Sequence, residues 1–257
     1  MTLKMKNISA PCGIKSALLA LVAIGSALNL TAQTAVVPPA TNTAPWESTA
    51  AAGLTLTRGN SKTLLATIDI GTQRKSKVDE ILLGADATYG EDNDVKNAET
   101  LHGFGQYNRF ITERFYYGLR LDGMHDAIAD VNYRFTVSPL LGYYLIKQTN
   151  TTLSVEAGPG YVYQRQGGVS KGYATLRLGE RFEHKFSAAA KMWQSFEILP
   201  ELDKFNNYNI NAEIGAEAAL TKHASLRSYI QDTYYNIPAA GREKNDVKLV
   251  GALAYKF

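Results

Sequence analysis

The side chains best able to bind a metal or to transfer a proton are four histidines: His102, His125, His184 and His223. They fall in different segments of the chain, and no two have the spacing of ligands on one strand or helix. The single cysteine, Cys12, adds no thiol ligand, because it lies in an N-terminal segment that we expect to be removed. The sequence therefore predicts no metal site and no cofactor.

One pair of residues has the spacing of catalytic partners. His223 and Ser225 stand two residues apart, so on a strand their side chains would share one face. Some membrane barrels are lipid hydrolases that use such a pair on the lipid-facing surface of a strand. No third residue that would orient the histidine can be singled out. We predict that the chain is not an enzyme, and we keep lipid hydrolysis by His223 and Ser225 as an alternative.

Charge and composition exclude two classes of protein. The net charge is only +3, and the 27 basic and 24 acidic residues are interspersed, so the concentrated basic surface of a nucleic-acid-binding protein is absent. After the first 35 or so residues, no apolar run approaches the roughly 20 residues that a membrane-spanning helix needs. We predict no nucleic-acid partner and no transmembrane helix.

The N-terminus has the pattern of an export signal. Lys4, Lys6 and Lys15 precede an apolar stretch over 17–30 that is too short to span a bilayer. We assign 1–32 to a signal peptide and 33–45, rich in proline, threonine and alanine, to a flexible leader. The remaining residues, 46–257, form the predicted folded domain.

This domain reads as consecutive strands with two different faces. In the last segment Leu249, Leu253 and Tyr255 alternate with Lys248 and Lys256, which is the period-two pattern of a pleated strand. Twelve such segments follow one another, and no segment has a convincing helical period. The sequence predicts an all-β fold: a single closed antiparallel barrel of about 12 strands with up-and-down hairpin topology.

The aromatic residues favour a membrane setting for this barrel. They concentrate near strand ends, where the two interfaces of a bilayer attract amphipathic rings. The segments are also long enough to cross a bilayer when tilted, whereas strands of soluble proteins are most often about 5 to 6 residues long. We predict an outer-membrane barrel with both termini and the shorter turns in the periplasm and the longer connections outside. A secreted, soluble ligand-binding barrel is the second alternative.

The polar faces of these strands would line the barrel interior with charges of both signs. Because neither sign dominates, we expect weak selectivity between cations and anions. The predicted lumen-facing residues are Asp69, Asp86, Arg120, Asp122, Arg134, Glu156, Arg177, Arg181, Glu183, Glu213, Glu217, Arg227 and Lys248.

Several short motifs resemble one family. The opening strand and turn, 53–63, read GLTLTRGNSKT, and 107–110, 140–144, 156–161 and 177–182 read YNRF, LLGYY, EAGPGY and RLGERF. They resemble the YdiY-like salt-induced outer-membrane protein family, a domain of unknown function. The final AYKF is similar to the terminal signal of outer-membrane proteins, and this resemblance implies that Tyr255 and Phe257 are read by the barrel-assembly machinery.

Together these observations predict a monomeric, non-enzymatic barrel in a bacterial outer membrane. Its expected role is a small diffusion channel or an envelope-stabilising protein, and the family resemblance implies a link to salt or osmotic stress. The expected partners are outer-membrane lipids, lipopolysaccharide and, during insertion, the barrel-assembly machinery.

Overall fold

The computed structural model describes residues 45–58, 64–92 and 95–257, which form a closed antiparallel barrel of twelve strands. The strands are β1 (Trp46–Arg58), β2 (Leu64–Lys75), β3 (Asp79–Asp92), β4 (Val95–Phe110), β5 (Phe115–Asp126), β6 (Val131–Lys147), β7 (Thr151–Gln166), β8 (Val169–Lys185), β9 (Ala190–Glu201), β10 (Lys204–Ala219), β11 (Ala224–Tyr235) and β12 (Asn245–Lys256). The predicted signal peptide, the leader up to residue 44 and the Gly-Asn turn at 59–60 lie outside the described residues.

Each strand pairs with its neighbours in the chain, and β12 pairs with β1 to close the barrel. The predicted fold class is thus confirmed, including the number of strands. Closure satisfies the backbone donors and acceptors that an open sheet would leave at its edges. No helix in the described part of the chain is both long and apolar enough to cross a bilayer.

The two ends of the barrel differ in what they carry. We call the end with Trp46 and Phe257 the near end; its five hairpin turns are 76–78, 111–114, 148–150, 186–189 and 220–223. We call the opposite end the far end. Its connections at 127–130, 167–168, 202–203 and 236–244 are described, and its other two contain undescribed residues.

The prediction of long connections at the far end was wrong for most of them. Strands β7 and β8 run on until only Gly167 and Gly168 separate them, with φ of 57° and 75°. Positive φ at both positions is the conformation of a tight hairpin turn, and glycine adopts it without steric cost. The polar residues on either side of the two glycines, which suggested a loop, are paired between β7 and β8. Of the described far-end connections, only 236–244 is long.

Contacts between strands that are not neighbours identify the inner face. Gln106 on β4 donates to Glu156 on β7, and Arg227 on β11 donates to Asp69 on β2. Such contacts can form only through the interior of a closed barrel. The side chains at alternate positions therefore point inward, and those between them point outward.

The outer face is apolar over the middle of the strands. Its exposed large side chains include Ile68, Ile70, Leu101, Leu121, Val137, Leu141, Leu226, Ile230 and Leu253. Exposed rings lie toward both ends of this apolar zone, with Tyr107, Tyr117, Tyr143 and Tyr255 toward the near end and Tyr89, Phe135, Tyr161 and Tyr163 toward the far end. A continuous apolar surface of this kind is unusual for a soluble protein.

Three aromatic residues near strand ends lie inside the barrel, although the sequence predicted that aromatic rings at strand ends would face the two interfaces of a bilayer. Tyr173 and Tyr235 are buried, and Phe110 packs against the buried rings of Tyr116 and Tyr144. Their position near strand ends suggested that these rings face outward. Whether a side chain points inward or outward depends, however, on its place in the alternation along the strand. Tyr173 and Tyr235 alternate in phase with inward arginines of their own strands, so their rings fill the interior.

Candidate functional site

Glu156 is the centre of the densest charge network in the described interior. Its carboxylate accepts bonds from Arg177 Nη1 at 2.8 Å and Arg181 Nη2 at 3.1 Å on the adjacent strand β8. It also accepts from the Tyr116 hydroxyl at 2.8 Å and from Gln106 Nε2 at 2.7 Å, across the interior. With 7% of its surface exposed, Glu156 is a buried charge held by four donors.

This network continues toward the near end and bridges the interior there. Gln106 donates to Asn108, whose amide donates to Glu80 at 3.0 Å. Lys75 on β2 forms an ion pair with Glu80 at 3.3 Å and donates to the Tyr144 hydroxyl on β6 at 2.9 Å. Because β3, β4 and β5 lie between β2 and β6, this contact crosses the interior in front of those three strands.

A second network lies on the opposite wall, around Glu217. Arg227 joins Asp69 at 3.0 Å to Glu217 at 3.7 Å. Lys256 and Lys191 approach the same carboxylate at 2.5 and 3.8 Å, so three cationic groups surround it. The network links β2 to β9, β10, β11 and β12.

A third group lies at mid-height on the neighbouring strands β3, β4 and β5. Arg120 donates to both oxygens of Asp122, and His102 lies between Asp122 and Asp86, with Nδ1 at 3.0 Å from Asp86 Oδ1. Arg120 also donates to Gln106 at 3.2 Å, which connects this group to the Glu156 network. The interior is therefore held together by paired charges rather than by an apolar core.

All thirteen residues that the sequence suggested for the lumen lie on the inner face. Glu213 accepts from the Trp193 indole at 2.6 Å, Arg134 donates to Gln164 at 2.7 Å, and Glu183 lies 3.4 Å from Lys191. The other ten take part in the networks described above, except Lys248, which crosses the interior to contact Thr100.

Several residues of these networks were missed from the sequence. Glu80 lies on the same face of β3 as Asp86, and Glu197 lies on the same face of β9 as the inward-facing Trp193. The alternation of the two strands would therefore have identified both glutamates as inward-facing. Tyr116 is the middle residue of a run of three rings, FYY, in which alternation is invisible. The neutral partners Gln106 and Asn108 carry no charge to mark them.

The inner side chains leave cavities between them, and three of these cavities border the networks described above. One of about 760 Å³ lies against β1 to β3 and β9 to β12 and reaches Trp46 and Phe257 at the near end. A second of about 400 Å³ lies beside Arg177 and Glu197 at mid-height, and a third of about 170 Å³ lies toward the far end. Each of these cavities shares lining residues with the other two, so they adjoin one another inside the barrel.

Tyr235 and its neighbours cover part of the far end. The Tyr235 ring, 2% exposed, lies 4.8 Å below the Arg134 guanidinium, and its hydroxyl lies 3.8 Å from Met124 Sδ. These contacts join β11 to β5 and β6. Tyr235 also packs against the buried side chains of Ala129 and Val131.

His223 and Ser225 do not share the surface that lipid hydrolysis would require. Ser225 is 1% exposed and points into the barrel, while His223 lies in the near-end turn with its ring 5.9 Å from the outward ring of Tyr255. The histidine Nδ1 approaches the Lys256 carbonyl at 3.2 Å. In the described residues no group of histidine, cysteine and carboxylate side chains is arranged to hold a metal.

Close packing of Tyr116 on a glycine allows a direct test of this interior. A methyl group at Gly142 would overlap the Tyr116 ring, whereas one at Gly251, on the outer face of β12, would meet no atom within 4 Å. We expect Gly142→Ala to destabilise the barrel by about 1–3 kcal/mol because Tyr116 must move away from Glu156. Gly251→Ala should change the unfolding free energy by less than about 0.5 kcal/mol. Urea unfolding monitored by tryptophan fluorescence compares them, and equal effects would contradict the packing.

A family model described as "Protein of unknown function, DUF481" matches residues 50–257. No curated protein sequence matches the chain. Among solved structures, the NanC porin is similar with a TM-score of 0.55 and 7% identity, covering 81% of this chain and 100% of that one.

Two other structures have similar coverage but lower scores. The KdgM porin gives a TM-score of 0.49 at 10% identity, covering 81% of this chain and 99% of that one. The translocator domain of the autotransporter NalP from Neisseria meningitidis gives 0.48 at 11% identity, covering 85% and 90%. At such identities the NanC likeness is evidence for the fold alone.

Proposed function

This chain belongs to the DUF481 family of unknown function, and we propose that it is a non-enzymatic outer-membrane barrel that lets small polar solutes diffuse through a narrow interior. The observation that supports this proposal most is a set of adjoining cavities of about 760, 400 and 170 Å³ inside a closed barrel, each of which has carboxylate and cationic side chains in its lining. Twelve strands enclose more space than the eight-stranded barrels that side chains fill, and less than wide porins.

The outer face supports the membrane location in this proposal. Large apolar side chains cover the middle of the strands, and exposed aromatic rings lie above and below them. This is the arrangement by which outer-membrane barrels meet lipid and its two interfaces. Outer-membrane lipids and lipopolysaccharide are the proposed surroundings, and the barrel is proposed to act as a monomer.

The near end is the proposed periplasmic side. Tyr255 and Phe257, whose rings are 6.5 Å apart at this end, are proposed as the assembly signal for the barrel-assembly machinery. The closer relation to the YdiY-like salt-induced proteins, with its link to salt stress, rests on the sequence resemblance and belongs to the proposal as well.

Planar-bilayer recording of the purified, refolded protein tests conduction. We expect discrete current steps, smaller than those of porins with 16 to 18 strands, because twelve strands enclose a narrower lumen and ion-paired side chains reach across it. The ratio of cation to anion permeability should be near unity, since the inner face mixes both signs. Detergent buffer without protein is the control.

A second function is favoured by one observation, the bridge of Lys75, Glu80 and Tyr144 across the near-end interior. If similar bridges close the whole passage, the barrel stabilises the envelope without conducting. Absence of any current from correctly folded protein would support this role and contradict the channel.

A further inference from the structure

Lys248 crosses the interior at the boundary between two cavities. It projects inward from β12, and its ammonium donates to Thr100 Oγ1 on β4 at 3.4 Å. Three strands, β1, β2 and β3, lie between β12 and β4 around the wall. The side chain therefore spans the interior along a chord and does not lie against its own wall.

The position of this crossbar matters because of what lies on each side. Lys248, Asp86 and Gln231 are the residues, among those described, that line both the 760 Å³ cavity and the 170 Å³ cavity. The Lys248 ammonium lies where the near-end cavity and the far-end cavity adjoin directly, whereas the 400 Å³ cavity adjoins both of them through other residues.

The lining of the far-end cavity carries more carboxylates than cations. It includes five carboxylates, Asp86, Asp122, Asp126, Glu197 and Asp246, the two cations Arg134 and Lys248, and the imidazoles of His102 and His125. Asp122 and Glu197 are paired with Arg120 and Arg177, which lie outside that lining. The hydrogen bond of Lys248 goes to a neutral hydroxyl, so its positive charge faces the passage. In a confined, weakly screened space one fixed charge strongly changes the local concentration of ions.

We infer that Lys248 is a specificity-determining residue of the passage, a positively charged side chain that limits the entry of cations from the near-end cavity into the far-end cavity, whose lining carries more carboxylates than cations. This inference rests on the proposed conduction. Under this inference, one residue keeps the permeabilities to cations and anions nearly equal. If the mixed charge of the whole interior were responsible, many residues would share this effect.

The test measures reversal potentials of single variants in planar bilayers under a KCl gradient. Lys248→Glu should raise the ratio of potassium to chloride permeability at least about threefold, and the neutral Lys248→Met should give an intermediate increase. Lys222→Glu makes the same charge change in the near-end turn, outside the strands, and should leave the ratio nearly unchanged. If Lys248→Glu fails to fold, Lys248→Met carries the comparison.

The outcomes separate this inference from the proposed function. Conducting wild-type protein with unchanged selectivity in both Lys248 variants overturns the inference and leaves the channel standing. If the wild-type protein gives no current and Lys248→Met conducts, the result supports a position of Lys248 across the passage and overturns the proposal that the native barrel conducts. Silence of all variants, each shown by heat modifiability on gels to be folded, overturns both.

Discussion

Glu156→Gln should lower the unfolding free energy by about 3–5 kcal/mol, because it removes the charge from a buried carboxylate and leaves two guanidinium groups facing a neutral amide. Arg177 keeps Glu197 at 2.5 Å as a second partner, but Glu156 is the carboxylate that pairs with Arg181. Glu156→Ala should cost at least as much, since it also leaves the Tyr116 hydroxyl without its acceptor and removes one of the two acceptors of Gln106 Nε2. The measurement is urea unfolding in lipid vesicles.

A matched control and a second substitution make this prediction specific. Glu183→Gln removes the same charge from an inward-facing carboxylate near the barrel end, whose side chain is 35% exposed, and should cost less than about 1 kcal/mol. Adding Arg181→Met to Glu156→Gln should restore at least about 1 kcal/mol by removing the unpaired charge. Equal losses for the two glutamate variants would show that the Glu156 network does not hold the interior together.

Leu121→Arg should destabilise the barrel by about 2–4 kcal/mol in lipid vesicles, because it places a guanidinium in the hydrocarbon layer. Leu121 points outward from the middle of β5, is 49% exposed and pairs with Val137, which is also outward and apolar. In a soluble barrel the same change would replace an exposed apolar side chain by a charged one and would cost little. Unfolding in vesicles therefore tests the membrane location directly.

Ile237 provides the control for this variant. It lies in the 236–244 connection beyond the far end of β11 and is 41% exposed, which is close to the value for Leu121. Ile237→Arg should change the unfolding free energy by less than about 0.5 kcal/mol. Similar costs for both arginine variants would favour the secreted, soluble barrel and count against the outer-membrane proposal.

The passage through the barrel depends on side chains that reach across it. Lys75, Lys248 and Tyr235 each contact a strand that is not their neighbour, at the near end, in the passage and at the far end. A barrel of this size can hold paired charges and still leave about 760 Å³ open on one side. The relative position of these side chains, more than the strand number, would set what passes.

The sequence by itself determined the number of strands, the closed barrel and the inner face. Alternation with period two is local, because neighbouring side chains of a strand must point to opposite sides. It therefore identifies Glu156 or Lys248 as inward-facing from a few flanking residues. The same rule applied strictly would have moved Tyr173 and Tyr235 inside, where their association with strand ends misled the prediction.

Only the tertiary structure decided which inward side chains meet. Glu156 is separated by 50 residues from Gln106, and Arg227 by 158 from Asp69. Such pairs depend on the register of every ladder around the barrel, since a small shift in register changes the height of all later strands. The residues around one position in the sequence do not reveal the combined register of all the strand pairs. The Glu156 network, the Lys248 crossbar and the division of the interior into cavities are therefore properties of the closed barrel.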